Sequence, residues 1–121
     1  MVKAVVIKAD DTLSIIELDS WDSKAEKEVV GAEYLEVVAP KYLTFCDEPL
    51  VFLVDDDGHA KGLPINMAGS ILYGVLAHGH PIVGDILFGF RNGPDVLPVE
   101  NPEELAEQLK NMFQFLKYEK N

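Results

Sequence analysis

Twenty-nine residues near the middle of the chain, GLPINMAGSILYGVLAHGHPIVGDILFGF from Gly62 to Phe90, contain a single acidic or basic side chain, Asp85. Six of the nine glycines fall in this stretch, with Asn66, Tyr73, His78 and His80 as its other conspicuous polar side chains. A segment so poor in charge must be largely buried or must line a cleft. Its glycines would let the backbone approach a ligand closely. A membrane span is excluded, because Pro64, Asn66, Pro81 and the histidines and glycines interrupt it and no continuous run of about 18 apolar residues exists. The N-terminus has no basic region followed by a long apolar block, so no secretory signal is expected. The expectation is a soluble, cytoplasmic protein.

The flanking sequence reads as alternating short strands and helices. Val2–Lys8 and Leu13–Leu18 predict a hairpin turning at Asp10-Asp11. Ser23-Lys-Ala-Glu26 fits a capping box opening a short helix, and Gly31 sits where its C-terminal cap belongs. Tyr34–Ala39 predicts a strand bounded by Pro40. Leu50–Val54 predicts a second, joined through Asp55-Asp56-Asp57-Gly58 to a hairpin partner at His59–Leu63. Asn66 is placed to cap a helix running to Leu76, with Met67, Ile71, Leu72 and Val75 on one face. Pro81–Phe90 predicts a buried strand, followed by a turn at Arg91-Asn92-Gly93-Pro94. Asn101-Pro102-Glu103-Glu104 opens a final helix over Asn101–Tyr118 whose stripe is Leu105, Leu109, Met112, Phe113 and Leu116. No linker or low-complexity tract appears in the 121 residues. The prediction is one α+β domain: a mostly antiparallel sheet with two or three helices, the C-terminal one packed on one face.

Charge is unevenly placed. Of the formal net charge of −11, residues 1–60 carry fourteen carboxylates against five lysines, and residues 61–121 carry seven against five basic side chains. An acidic half of this kind repels phosphate backbones, so direct nucleic-acid binding is not expected. It serves solubility, or it complements a basic partner, mimicry of DNA included. The single cysteine, Cys46, excludes an internal disulfide and a cysteine-rich zinc site. Asp47 and Glu48 beside it oppose thiolate formation. The Asp55–Asp57 run does not make an EF-hand, because the sixth and twelfth positions are Ala60 and Asn66 rather than glycine and glutamate.

Asn66, Tyr73 and Asp85 are the polar groups embedded in apolar sequence. Each has a purely structural reading: a helix cap, a packed ring with its hydroxyl bonded, and an acceptor for backbone amides. As a pocket, Asn66 would offer donor and acceptor, Tyr73 a stacking ring and Asp85 an acceptor for hydroxyls or an amine. That set suits a nucleoside or sugar. Arg91, the sole arginine, stands just past the strand that holds Asp85 and is either a surface or ion-pair residue or a phosphate anchor. His78 and His80, with His59 elsewhere, could contribute to a metal site with Asp85, though an ordinary loop is the simpler reading. No nucleophile elbow, P-loop, dinucleotide fingerprint or HExxH occurs. A lone carboxylate lacks a second acid–base partner. The expectation is a non-enzymatic protein with no cofactor and no bound metal.

The ordered series Gly62-Leu63-Pro64-x-Asn66, Ala68, Leu72-Tyr73-Gly74 and Ile82-Val83-Gly84-Asp85, after a short N-terminal hairpin and an EVV strand, resembles the DUF3846 family. The likeness covers residues 1–92, with 93–121 adding a turn and a helix. The family comprises domains of unknown function in bacteriophages, plasmids and their bacterial hosts. The resemblance implies an accessory protein of a mobile element, the kind that blunts host defence by binding an effector or soaking up its nucleotide signal. Two roles follow as expectations. One is sequestration of a small nucleotide-derived ligand at Asn66, Tyr73, Asp85 and Arg91, in a pocket completed by a homo-oligomer. The other is an acidic interface that inhibits a basic host protein.

Overall fold

Strands that read as unbroken apolar runs, such as AVVI in the first and LVFLV in the fourth, must bury both faces of the sheet they form. The computed structural model, which describes residues 1–40 and 50–119, shows this arrangement. In chain order the elements are β1 (Val2–Ile7), β2 (Thr12–Leu18), α1 (Ser23–Val30), β3 (Leu35–Val38), β4 (Leu50–Asp55), α2 (Met67–Tyr73), α3 (Val75–His78), β5 (Ile86–Asn92), β6 (Asp95–Leu97), α4 (Pro102–Met112) and β7 (Lys117–Glu119). The seven strands form one sheet in the order β3-β4-β5-β1-β2-β7, with β6 beside β5. Every pairing is antiparallel except β2 with β7. The protein is an α+β fold of mostly antiparallel sheet with a C-terminal helix on the sheet. Cys46 lies outside the described residues, as does the side chain of His78.

Alternate residues of the central strands feed two cores. Val5, Ile7, Phe52, Ile86 and Phe88 point to the face covered by α2 and α4, where Leu72, Leu105 and Leu109 meet them. Phe52 and Phe88 pack edge to face, their centroids 5.8 Å apart. Ala4, Val6, Leu53 and Leu87 point the other way, toward Val30 and Trp21 around α1. Trp21 also donates its indole N–H to the Val96 carbonyl at 2.8 Å, tying the stretch before α1 to β6.

Several expected elements stand where the sequence places them. The β1–β2 hairpin pairs Ile7 with Leu13, and Asp11 accepts a φ of 70° in the turn while Thr12 N–H donates to the Asp10 carboxylate. Gly31 ends α1 in the left-handed conformation. Others differ. The cap of α1 is Asp22, which accepts from Ala25 N–H at 2.9 Å and also takes the Ser20 hydroxyl, so Ser23 is already helical. Residues 56–62 wind through successive turns instead of returning as a strand. Asp55 is the reason: its buried carboxylate accepts from Asp57 N–H and from Lys61 Nζ at 2.7 Å, curling the chain back on the end of β4. A Cβ at Gly58 would come within 2.8 Å of Val83, so glycine serves close packing here.

The strand expected over Pro81–Phe90 begins only at Ile86, and Arg91 and Asn92 belong to it, with the tight turn confined to Gly93-Pro94. The final helix stops at Met112, and Lys117–Glu119 returns as an edge strand parallel to β2. Its stripe is nevertheless core: Leu105, Leu109, Phe113 and Leu116 are buried, whereas Met112 is exposed. Asn101 precedes α4 without a side-chain cap bond, and Pro102 supplies the N-terminal stop. The short α3 makes a fourth helix, one more than expected.

Two predictions follow from these contacts. A Cβ on Gly89 would lie 2.7 Å from Val96 Cγ1 and 2.9 Å from the Leu97 carbonyl, a backbone atom that cannot swing aside. Gly89→Ala should therefore cost about 1–3 kcal/mol, read from urea unfolding. Burial first, and the neighbouring Asp22 carboxylate second, raise the pKa of Glu26. The folded state thus holds that proton more tightly than the unfolded chain, so the ionised group opposes folding at neutral pH. Glu26→Gln should raise the urea midpoint at pH 7, and the gain should vanish below about pH 3.5, where both states are protonated.

Candidate functional site

The charge-poor segment closes around one carboxamide. Asn66 is 1% exposed and caps α2: its Oδ1 accepts from Gly69 N–H at 2.9 Å. Both hydrogens of its Nδ2 are committed, to the Ile7 carbonyl at 3.0 Å and the Gly84 carbonyl at 2.9 Å. Its own backbone N–H donates to the Ile82 carbonyl, and Gly84 N–H donates to the Pro64 carbonyl, both at 2.8 Å. The Ser70 hydroxyl brackets Ile82, accepting from its N–H and donating to its carbonyl. Asp85 is half-buried and accepts from Ala9 N–H at 3.0 Å. The Leu-Pro-x-Asn and Ile-Val-Gly-Asp pieces of the sequence are therefore two halves of one hydrogen-bonded lock that seats α2 on the end of β1.

This geometry separates the residues expected to share a pocket. Asn66 has no hydrogen left to offer a ligand. Asp85 is engaged with the β1–β2 turn. Arg91 is exposed near the far end of β5, six residues and about 20 Å of extended strand from Asp85. Tyr73, at the last turn of α2, instead joins two residues of other loops. Its hydroxyl lies 3.4 Å from His80 Nε2, with ring centroids 5.4 Å apart. The His59 ring stands edge-on to His80 at 6.1 Å. His59 Nε2 is 3.0 Å from the Pro81 carbonyl. A carbonyl can only accept, so His59 donates there, and Nδ1 of the neutral ring remains an acceptor.

These three rings border a small cleft of about 50 Å³, also lined by Glu36, Asp55, Asp56 and the Pro81–Val83 stretch. Asp55 is already compensated by Lys61, whose pKa is raised by the hydrogen bond to that carboxylate. Among the described residues, Glu36 and Asp56 have no ion-pair partner and stay exposed at the rim. A space of this size holds three to five water-sized groups, well under the roughly 300 Å³ of the smallest drug-sized sites. Among the described residues no three histidine, cysteine or acidic side chains are placed to hold a metal ion.

The larger concavities flank α1 and are open. One, of about 580 Å³, lies between the end of β2 and α1 and carries Glu17, Asp19, Asp22 and Glu28 with Lys24. The other, of about 670 Å³, lies at the C-terminal end of α1 and mixes Lys24, Lys27 and Lys61 with Glu28 and Glu33. Asp22 is held below the usual carboxylate range, first by the Ala25 amide and then by the Ser20 hydroxyl, so it stays ionised.

The convergence of His59 with Tyr73 and His80 was not readable locally, since the two histidines stand 21 positions apart. The one signal was that Tyr73 and His80 stood out as polar groups of the apolar stretch, with His59 named beside His80 only in a possible metal set. No family model, curated protein or solved structure matches the chain. The resemblance to DUF3846 thus rests on the ordered residues that carry it. Among the described residues, no helix is long and apolar enough to cross a membrane.

Removing the Asn66 carboxamide would strand two buried carbonyls and the Gly69 amide at once. Asn66→Ala is expected to cost about 2–5 kcal/mol in urea unfolding. Asn66→Asp should be at least as damaging, because an oxygen would then face the Ile7 and Gly84 carbonyls.

Proposed function

We propose that this chain is a non-catalytic accessory protein that docks a basic partner protein through the acidic surface of its N-terminal half. The observation that carries the reading is the hollow beside α1. There Glu17, Asp19 and Glu28 are exposed without an ion-pair partner among the described residues, and Asp22 adds a fourth carboxylate. Such a surface steers a cationic partner and repels phosphates. A basic enzyme is the partner that fits, including one whose own site is built for the phosphates of DNA. The role suits an accessory protein of a phage or other mobile element, as the resemblance to DUF3846 implies.

The geometry gives the ligand-sequestering reading less support. The cleft at Tyr73 is small, its rim is acidic, and Asn66 and Asp85 are occupied by backbone partners. One further observation favours self-association. Ile65, Met67, Ile71 and Leu76 are exposed on and beside α2 and α3, although Met67 and Ile71 were expected to share a face with the buried Leu72. Ala68 and Leu72 fill the core from α2 instead. Copies of a chain with net charge −11 repel least across this uncharged stretch, so a homo-oligomer would form here.

The test is capture of basic host proteins on the immobilised chain. Raising salt from about 0.1 M to about 1 M shortens the screening length from about 10 Å to about 3 Å and should release the partner. The triple variant Glu17→Lys, Asp19→Lys, Glu28→Lys should fail to capture it while keeping its unfolding midpoint. Thermal stabilisation by a cyclic or linear nucleotide, worth about 2.7 kcal/mol at a hundredfold excess over Kd, would reverse the order of the two readings.

A further inference from the structure

We infer that the cleft bordered by His59, Tyr73 and His80 seats a single arginine side chain of the docked protein. The inference rests on the acidic-interface reading and narrows it to an anchor residue. Size comes first. A space of about 50 Å³ admits a planar guanidinium head, and it is too small to enclose a nucleobase.

Charge decides the sign of the occupant. Lys61 is spent on Asp55 at 2.7 Å, and among the described residues no other cation pairs with the exposed Glu36 and Asp56 on the rim. Their position suits N–H donors arriving from solvent. A phosphate or carboxylate would meet like charge on that rim.

Shape separates arginine from lysine. The Tyr73 and His80 rings pack on each other 5.4 Å apart at 56°, and both line the cleft, so a flat cation seated there meets aromatic rather than aliphatic wall. His59 is fixed by its bond to the Pro81 carbonyl and offers Nδ1 as an acceptor when neutral. A guanidinium can stack and donate in several in-plane directions together. An ammonium has no plane to stack and is more strongly hydrated. The chain has no arginine of its own to place in the cleft, because its one arginine, Arg91, is exposed near the far end of β5.

The experiment is an NMR titration of the full chain with three capped tripeptides, glycine-X-glycine, in which X is arginine, lysine or citrulline. The arginine peptide should shift the ring resonances of His59, Tyr73 and His80 and the amide of Asp56. The lysine peptide should bind several-fold more weakly. The citrulline peptide, equal in shape and uncharged, should leave these signals unmoved. Glu36→Gln with Asp56→Asn, two exposed positions that leave the core untouched, should weaken arginine binding about fivefold. Equal shifts with citrulline, or no weakening in the double variant, would overturn the arginine seat. Shifts confined to Glu17, Asp19 and Glu28 would overturn the seat while sustaining the acidic interface. An absence of shifts at either place at low salt would overturn both.

Discussion

The carboxamide of Asn66 is the interaction on which the rest of the structure depends. It is one group with three bonds, and each bond joins a different part of the chain: the start of α2 through Gly69, the end of β1 through Ile7 and the approach to β5 through Gly84. None of these backbone groups lies where water could replace the amide. In a buried setting an unpaired carbonyl or amide costs about 1–3 kcal/mol, so the three bonds act together as a condition for closing the core. Ser70 repeats the device one turn later by bracketing Ile82. The apolar residues supply the drive to bury this segment, and the few polar ones decide how it is folded when buried.

That division of labour shapes what the molecule can do. Asn66, Ser70 and Asp85 inside the charge-poor segment are spent on holding it, and they have little left over for a ligand. The proposed recognition chemistry lies instead at the perimeter, where the turns after β4 and the loop before β5 bring rings together beside carboxylates with no ion-pair partner among the described residues. Lys61 illustrates the boundary. It is largely exposed, yet its ammonium is bound to the buried Asp55 and no longer offsets the acidic surface around it. The protein so presents aromatic and anionic groups outward from a rigid support, a combination suited to a cationic protein surface.

Local chemistry was legible wherever a single residue decides the conformation. The hairpin of β1 and β2, the left-handed stop at Gly31 and the cap at Asn66 all depend on neighbours within a few positions. Reading failed where two local solutions compete. Asp22 and Ser23 are both good caps, and Asp22 prevails with its second oxygen held by the Ser20 hydroxyl. Asp57-Gly58 favours a tight hairpin, but burial of Asp55 with Lys61 winds the chain into a loop instead. At the C-terminus, helical spacing continued past Met112, and pairing of Lys117–Glu119 with β2 overrode it.

By itself the sequence determined the fold class, the acidic character of the first half and the need to bury Gly62–Phe90, because composition and periodicity act over short distances and sum along the chain. Tertiary structure alone decided which polar groups are consumed and which remain. Asn66 and Tyr73 look alike as isolated polar residues in apolar sequence. One is enclosed between the ends of two strands and a helix, while the other reaches a cleft shared with His59 and His80. The difference lies in contacts made across many residues of chain. No short window of sequence contains both Asn66 and Ile7, or both His59 and His80.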